Sequence, residues 1–195
     1  MKVALITLVT GLLFGSVAFS APISYFAILN GSNESPPNLS TGTGFATVTI
    51  DQVVNTMLVD VTFTGLLSSD TASHIHCCTA VPDLGTAGVA TTTPTFTGFP
   101  SGVTSGTYSH LFDMTLATSY NPAFVTAEGG TTAGAEAALF AGIASGDAYL
   151  NIHSTGVPGG EIRGFLEPTA PEPSTLLLAG AALASLALLR RRRQV

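Results

Sequence analysis

The sequence predicts an all-β body, an antiparallel Greek-key β-sandwich or barrel with one short helix, flanked by an apolar helical segment at each end of the chain. Three observations carry this. Short runs alternate apolar and polar residues with a period of two, as half-buried strands do. Clusters of Gly, Pro, Asn, Ser and Thr separate the runs and read as turns. Within the body, one Ala-rich stretch has its larger apolar residues at helical spacing instead.

The chain opens MKVALITLVTGLLFGSVAFSAP, with Lys2, an apolar run from Val3 to about Phe19, and small residues at Ala18 and Ser20. A positive start, a short apolar core and a small-x-small site describe a secretory signal peptide over residues 1–20, cut after Ser20. ISYFAIL (Ile23–Leu29) is the first strand, and the turn-rich GSNESPPNLSTGTG (Gly31–Gly44) follows. GFATVTI sets Ala46, Val48 and Ile50 on one face against Phe45, Thr47 and Thr49. TMLVDVTFTGL sets Met57, Val59, Val61 and Phe63 against Leu58, Asp60, Thr62 and Thr64. The strand around His74–His76 runs into thirty loop-like residues, Cys77–Gly106, too many for a plain connector and therefore a functional or packed surface loop. GTYSHLFDMTL (Gly106–Leu116) is the next strand. TTAGAEAALFAGIASG (Thr131–Gly146) is the helix, with Ala135, Leu139 and Ile143 on one face and Gly146 at its stop. DAYLNIH (Asp147–His153) and EIRGFL (Glu161–Leu166) complete the strands.

The C-terminus reads APEPSTLLLAGAALASLALLRRRRQV. Pro171 and Pro173 stop a helix from extending back into the body. Leu176–Leu189 is an apolar run of fourteen residues, short beside the ~20 of a permanent span. Arg190, Arg191, Arg192 and Arg193 would hold its end on the cytoplasmic side. Pro171-Glu172-Pro173, the short transmembrane run and the Arg cluster together resemble the PEP-CTERM sorting signal of Gram-negative bacteria. That resemblance implies transient inner-membrane anchoring, cleavage near the motif by an exosortase-type enzyme, and export to the cell surface or extracellular matrix. The expected organisation is a signal peptide at 1–20, one domain at 21–168 and a sorting signal at 169–195.

Of twelve acidic residues all but Glu172 lie in the body, whereas Arg163 is its only base. A domain with a formal charge near −10 repels phosphate backbones, which excludes nucleic acid as a partner. The same self-repulsion keeps an exported protein soluble.

Four segments, in order, carry a second resemblance: LNGSNESPPNLSTGTGFATVTID (Leu29–Asp51), VTFTGLLSSDTASHIH (Val61–His76), AYLNIHS (Ala148–Ser154) and PGGEIRGFL (Pro158–Leu166). They resemble a CHRD domain, the module named for chordin and widespread in secreted bacterial proteins. The resemblance implies an extracellular β module with an immunoglobulin-like or superoxide-dismutase-like sandwich, and no defined activity.

The residues with chemistry concentrate in SHIHCC, Ser73–Cys78. Strand alternation puts His74 and His76 on one face and Ile75 on the other; in YLNIH it separates His153 and Asn151 from Leu150 and Ile152. With Ile75, Leu150 and Ile152 toward the core, all three His project from the outside of the sheet. H-x-H on a strand, with a third His on a neighbour, makes a three-His site for copper or zinc, both of which imidazole suits. Copper-zinc superoxide dismutase has a similar H-x-H strand, but the rest of its ligand loop has no counterpart here. The alternative is structural, with the His hydrogen-bonded to loops or to Asp83, Asp147 or Glu161.

Cys77 and Cys78 leave three readings open. A vicinal disulfide fits an exported protein, although a trans peptide spaces Cα atoms at ~3.8 Å, below the usual ~4.4 Å minimum. Two free thiols are the second. The third is Cys78, on the face of His74 and His76, as a further soft ligand. Glu161 and Arg163 share a strand face and read as members of a structural ion pair. With no G-x-S-x-G, P-loop, G-x-G-x-x-G or H-E-x-x-H present, the expected protein is a non-catalytic structural or adhesion module of the surface or matrix, served by the secretion machinery and an exosortase. The alternative is a copper- or zinc-binding or redox protein.

Overall fold

The computed structural model describes residues 21–169, which form β1 (Ile23–Asn30), β2 (Thr43–Asp51), β3 (Thr56–Thr64), β4 (Asp70–His76), β5 (Gly106–Asp113), α1 (Pro122–Ala127), α2 (Thr132–Ala144), β6 (Tyr149–Ser154), β7 (Ile162–Phe165) and β8 (Glu167–Pro168). Every strand expected from the alternation is present, and all ladders are antiparallel. The hydrogen bonds join the strands into one continuous sheet of order β4-β6-β7-β1-β2-β3-β5, with β8 beside β1.

The topology makes this sheet curl. β3 and β4 stand five positions apart in that order. In a flat sheet they would be about 24 Å apart at ~4.8 Å per strand. The chain from Thr64 to Asp70 has six Cα steps, a reach of only about 21 Å. Curling encloses one face. Ala27 and Leu29 of β1, Ala46, Val48 and Ile50 of β2, Met57, Val59, Val61 and Phe63 of β3, Ile75 of β4 and Leu150 and Ile152 of β6 are all buried there. In β2, β3, β4 and β6 these residues share the faces that alternation sets apart; Ala27 and Leu29 of β1 had no face assigned from the sequence. An aromatic cluster joins the long loop to this core, with Phe96 stacked on Tyr108 at 5.8 Å and Phe63 on Phe99 at 5.6 Å.

The sequence predicts one helix in the body; among the described residues two α-helices form. α2 matches the expectation. Thr131 Oγ1 caps it by accepting from the Gly134 N–H at 3.0 Å, Ala135, Leu139 and Ile143 are wholly buried, and Gly146 turns the chain out at φ 76°. α1 is the unexpected one. Its signal is the pair Asn121-Pro122: the Asn121 side chain accepts from the Ala123 N–H at 3.0 Å, and Pro122 occupies the first helical turn. The signal peptide at 1–20, the apolar terminal segments, Pro171, Glu172, Pro173 and Arg190–Arg193 lie outside the described residues. Among the described residues, no helix is long and apolar enough to cross a membrane.

Candidate metal centre

Cross-strand register brings the three His together. β4 pairs with β6 so that His74 faces Asn151, His76 faces Tyr149 and Ala72 faces His153. Alternation places these side chains on the outer face while Ile75, Leu150 and Ile152 are wholly buried in the core. One ring nitrogen from each of His74, His76 and His153 lies within 4.8 Å of the other two, with the His74 and His153 Nε2 atoms 2.9 Å apart.

The face is outward with respect to the sheet but not exposed. The long loop lies along the free edge of β4 and satisfies it: Thr91 Oγ1 accepts from Ile75 N–H and Thr95 Oγ1 from Ser73 N–H, both at 2.9 Å, while Phe96 N–H donates to Ser73 O at 2.8 Å. The loop thereby covers the cluster, so that His74 is buried and His76 and His153 half-buried. Burial is the main force on their titration. It lowers the pKa of His74 to about 3 and that of His76 to about 4, and it lowers that of His153; neighbouring imidazoles depress His74 further.

The hydrogen bonds fix the tautomers. Nδ1 of His74 faces Pro94 O at 3.2 Å, Nδ1 of His76 faces Ala87 O at 2.8 Å, and Nδ1 of His153 faces Pro158 O at 2.9 Å. A carbonyl only accepts, so each Nδ1 carries the proton and each Nε2 presents a bare lone pair. Two of these lone pairs confront each other across 2.9 Å, and His76 Nε2 is buried without any hydrogen-bond partner. Carbonyl-oriented imidazoles whose Nε2 atoms meet, as those of His74 and His153 do, are the arrangement in which outer partners present His to a metal. Three ligands around a tetrahedral zinc would stand about 3.3 Å apart at Zn–N of ~2.0–2.1 Å. Among the described residues no side-chain carboxylate orients the rings: the partners expected from the sequence, Asp83, Asp147 and Glu161, are replaced by backbone carbonyls of the loop and of the β6–β7 turn, which have no signature of their own.

Cys78 does not join the cluster. Cys77 and Cys78 are bonded to each other as a vicinal disulfide across a cis peptide, with Cα atoms 3.0 Å apart, so the trans spacing assumed from the sequence does not apply. Both sulfurs pack against Gly142 of α2, where a Cβ would collide with them. The cluster meets Tyr149 instead. Its ring stacks on His76 at 4.7 Å and 7°, and the Arg163 guanidinium lies 4.6 Å from its centre.

Arg163 is buried, donating to Asn33 O at 2.5 Å and Gly85 O at 3.0 Å, and its carboxylate partner is Glu34 at 3.8 Å. Glu161 instead accepts from Leu67 N–H and Ser40 Oγ–H, at 2.5 and 2.6 Å. Burial raises the pKa of Glu34 to about 7 against the opposing pull of Arg163.

Comparison with curated proteins and with solved structures gives no match. Family models do. Residues 169–193 match the PEP-CTERM protein-sorting motif, which makes the chain an exported substrate of exosortase sorting to the cell envelope. Residues 25–166 match the CHRD domain, so the sheet, the strap over its edge and the three-His cluster are one module, and the chain belongs to the CHRD domain family.

Proposed function

We propose that this exported CHRD protein is a non-catalytic metal-binding module of the cell surface or extracellular matrix, holding one copper or zinc ion on the Nε2 atoms of His74, His76 and His153. The observation that carries the reading is the 2.9 Å approach of two Nε2 lone pairs whose rings both donate through Nδ1. No proton is available between them, and burial opposes adding one. A bound cation removes the repulsion and gives the partnerless Nε2 of His76 a partner. Copper and zinc suit an all-imidazole donor set. When bound, the ion supplies a fixed positive centre. The chain's own residues orient it, through Pro94, Ala87 and Pro158, and shield it from water with the 77–106 strap. We read the strand order as a Greek-key sandwich, and residues 176–189 as a transient inner-membrane anchor that precedes exosortase cleavage. The test is metal analysis after loading with copper or zinc and gel filtration. About one ion per chain is expected, falling to none in His74→Ala. Wild-type protein that emerges without metal sinks the reading.

A further inference from the structure

The end of the sheet where the C-terminal segment leaves carries apolar side chains that folding does not account for. Thr169 donates its backbone N–H and its hydroxyl to Ser24 O, at 3.0 and 2.8 Å, so the chain exits beside the start of β1. There Ile23 pairs with Ile50, and the β2–β3 turn lies just beyond. Asp51 Oδ1 closes that turn by accepting from the Val53 and Val54 N–H groups at 2.9 and 3.3 Å, and Asn55 takes φ 55°. Asp51 and Asn55 therefore build the turn. Its central positions, where turns ordinarily carry polar residues, are Val53 and Val54, 52% and 59% exposed. Ile23 beside them is 44% exposed. Leu116 is 52% exposed and is brought to the same turn by the Met114 N–H donating to Asn55 O.

Chain length limits where this tip can be. The apolar run begins at Leu176, leaving residues 170–175 as the connection from Thr169. The seven Cα steps from Thr169 to Leu176 reach at most about 25 Å. An anchored run keeps Thr169, and with it this end of the sheet, close to the bilayer. Asp51 and Asp113 border the tip and Arg163, the only base between Ala21 and Thr169, is buried elsewhere, so attraction to anionic headgroups is not the means of contact. Shallow burial of aliphatic side chains is.

We propose that Ile23, Val53, Val54 and Leu116 form a lipid-docking tip that rests on the bilayer surface while the C-terminal segment anchors the precursor. This rests on the anchoring reading above and is independent of the metal centre. That centre lies toward the opposite end of the sheet, where β6 pairs with β7 and Arg163 pairs with Asn30.

The test uses the chain after signal removal, residues 21–195, in phosphatidylcholine vesicles, with an environment-sensitive fluorophore on Val54→Cys or, at the far end, on Leu39→Cys. Acyl-chain quenchers should quench the Val54 probe at least about twofold more than the Leu39 probe. The difference should persist in ~1 M salt, where the Debye length is ~3 Å. A chain that floats with the vesicles while both probes stay in water overturns docking and leaves anchoring intact. A Val54 probe that is shielded yet unreached by lipid quenchers overturns it in favour of the chain's own C-terminal segment covering the tip. A chain that does not float overturns both.

Discussion

Lowering the pH from 7 to 5 probes the desolvation of the three-His cluster. An imidazole with the ordinary pKa near 6.5 is about one-quarter protonated at pH 7 and almost fully protonated at pH 5. Proton competition through one such ligand weakens metal binding about 25-fold, and through three about 10⁴-fold. Here burial holds His74 near pKa 3 and His76 near 4, so both remain neutral across the interval. His153 is lowered as well, which keeps its share of the loss below that of an ordinary imidazole. The whole site should therefore lose less than about 25-fold in affinity. The assay is competition titration against a chromophoric chelator at the two pH values, corrected for the chelator's own protonation. A fall of three decades or more would refute the reasoning, because it would mean that solvent reaches the ring nitrogens. The same shifts act on folding of the metal-free protein. A lowered His pKa contributes stability that is present above about pH 6.5 and lost as pH falls toward the folded value. The steepest slope is about 1.4 kcal/mol per pH unit per group.

Other expectations follow from packing. Thiol titration of unreduced, denatured protein should find no free SH and, after reduction, two; finding two at the start contradicts the Cys77–Cys78 bond. Gly142→Ala should destabilise by about 1–3 kcal/mol in urea unfolding, despite the better helix propensity of Ala, because its Cβ meets both sulfurs; an unchanged midpoint would show that the contact yields freely. Arg163→Met removes one partner of a buried pair and should cost about 3–5 kcal/mol at pH 8. The cost should be smaller at pH 6, where Glu34, already raised to about 7, takes up a proton. Equal losses at both pH values would separate Glu34 from the effect.

The core was legible because period-two alternation needs only sequence neighbours. Met57, Val59, Val61 and Phe63 face inward as that rule requires. His74 and His76 on one face follow from the same rule. That His153 joins them depends on the register of β4 against β6, which no local pattern encodes. The orienting groups were invisible for a different reason. Pro94, Ala87 and Pro158 act through carbonyls, which every residue carries, and the strap reaches β4 through Thr91 and Thr95, two among many Thr. α1 was missed because its six residues hold no repeated apolar period, and only the Asn121-Pro122 start announces it. The burial of the His face also escaped the sequence. Alternation says which side of a sheet a residue takes, and covering that side is the work of a distant loop.

The most direct test of the metal reading is an anomalous-difference map from crystals of the zinc-loaded protein. A single strong peak is predicted within about 2.0–2.2 Å of Nε2 of His74, His76 and His153, with no sulfur in its coordination sphere. A cluster left empty after loading, or a peak bound instead at Cys77 and Cys78, would contradict it.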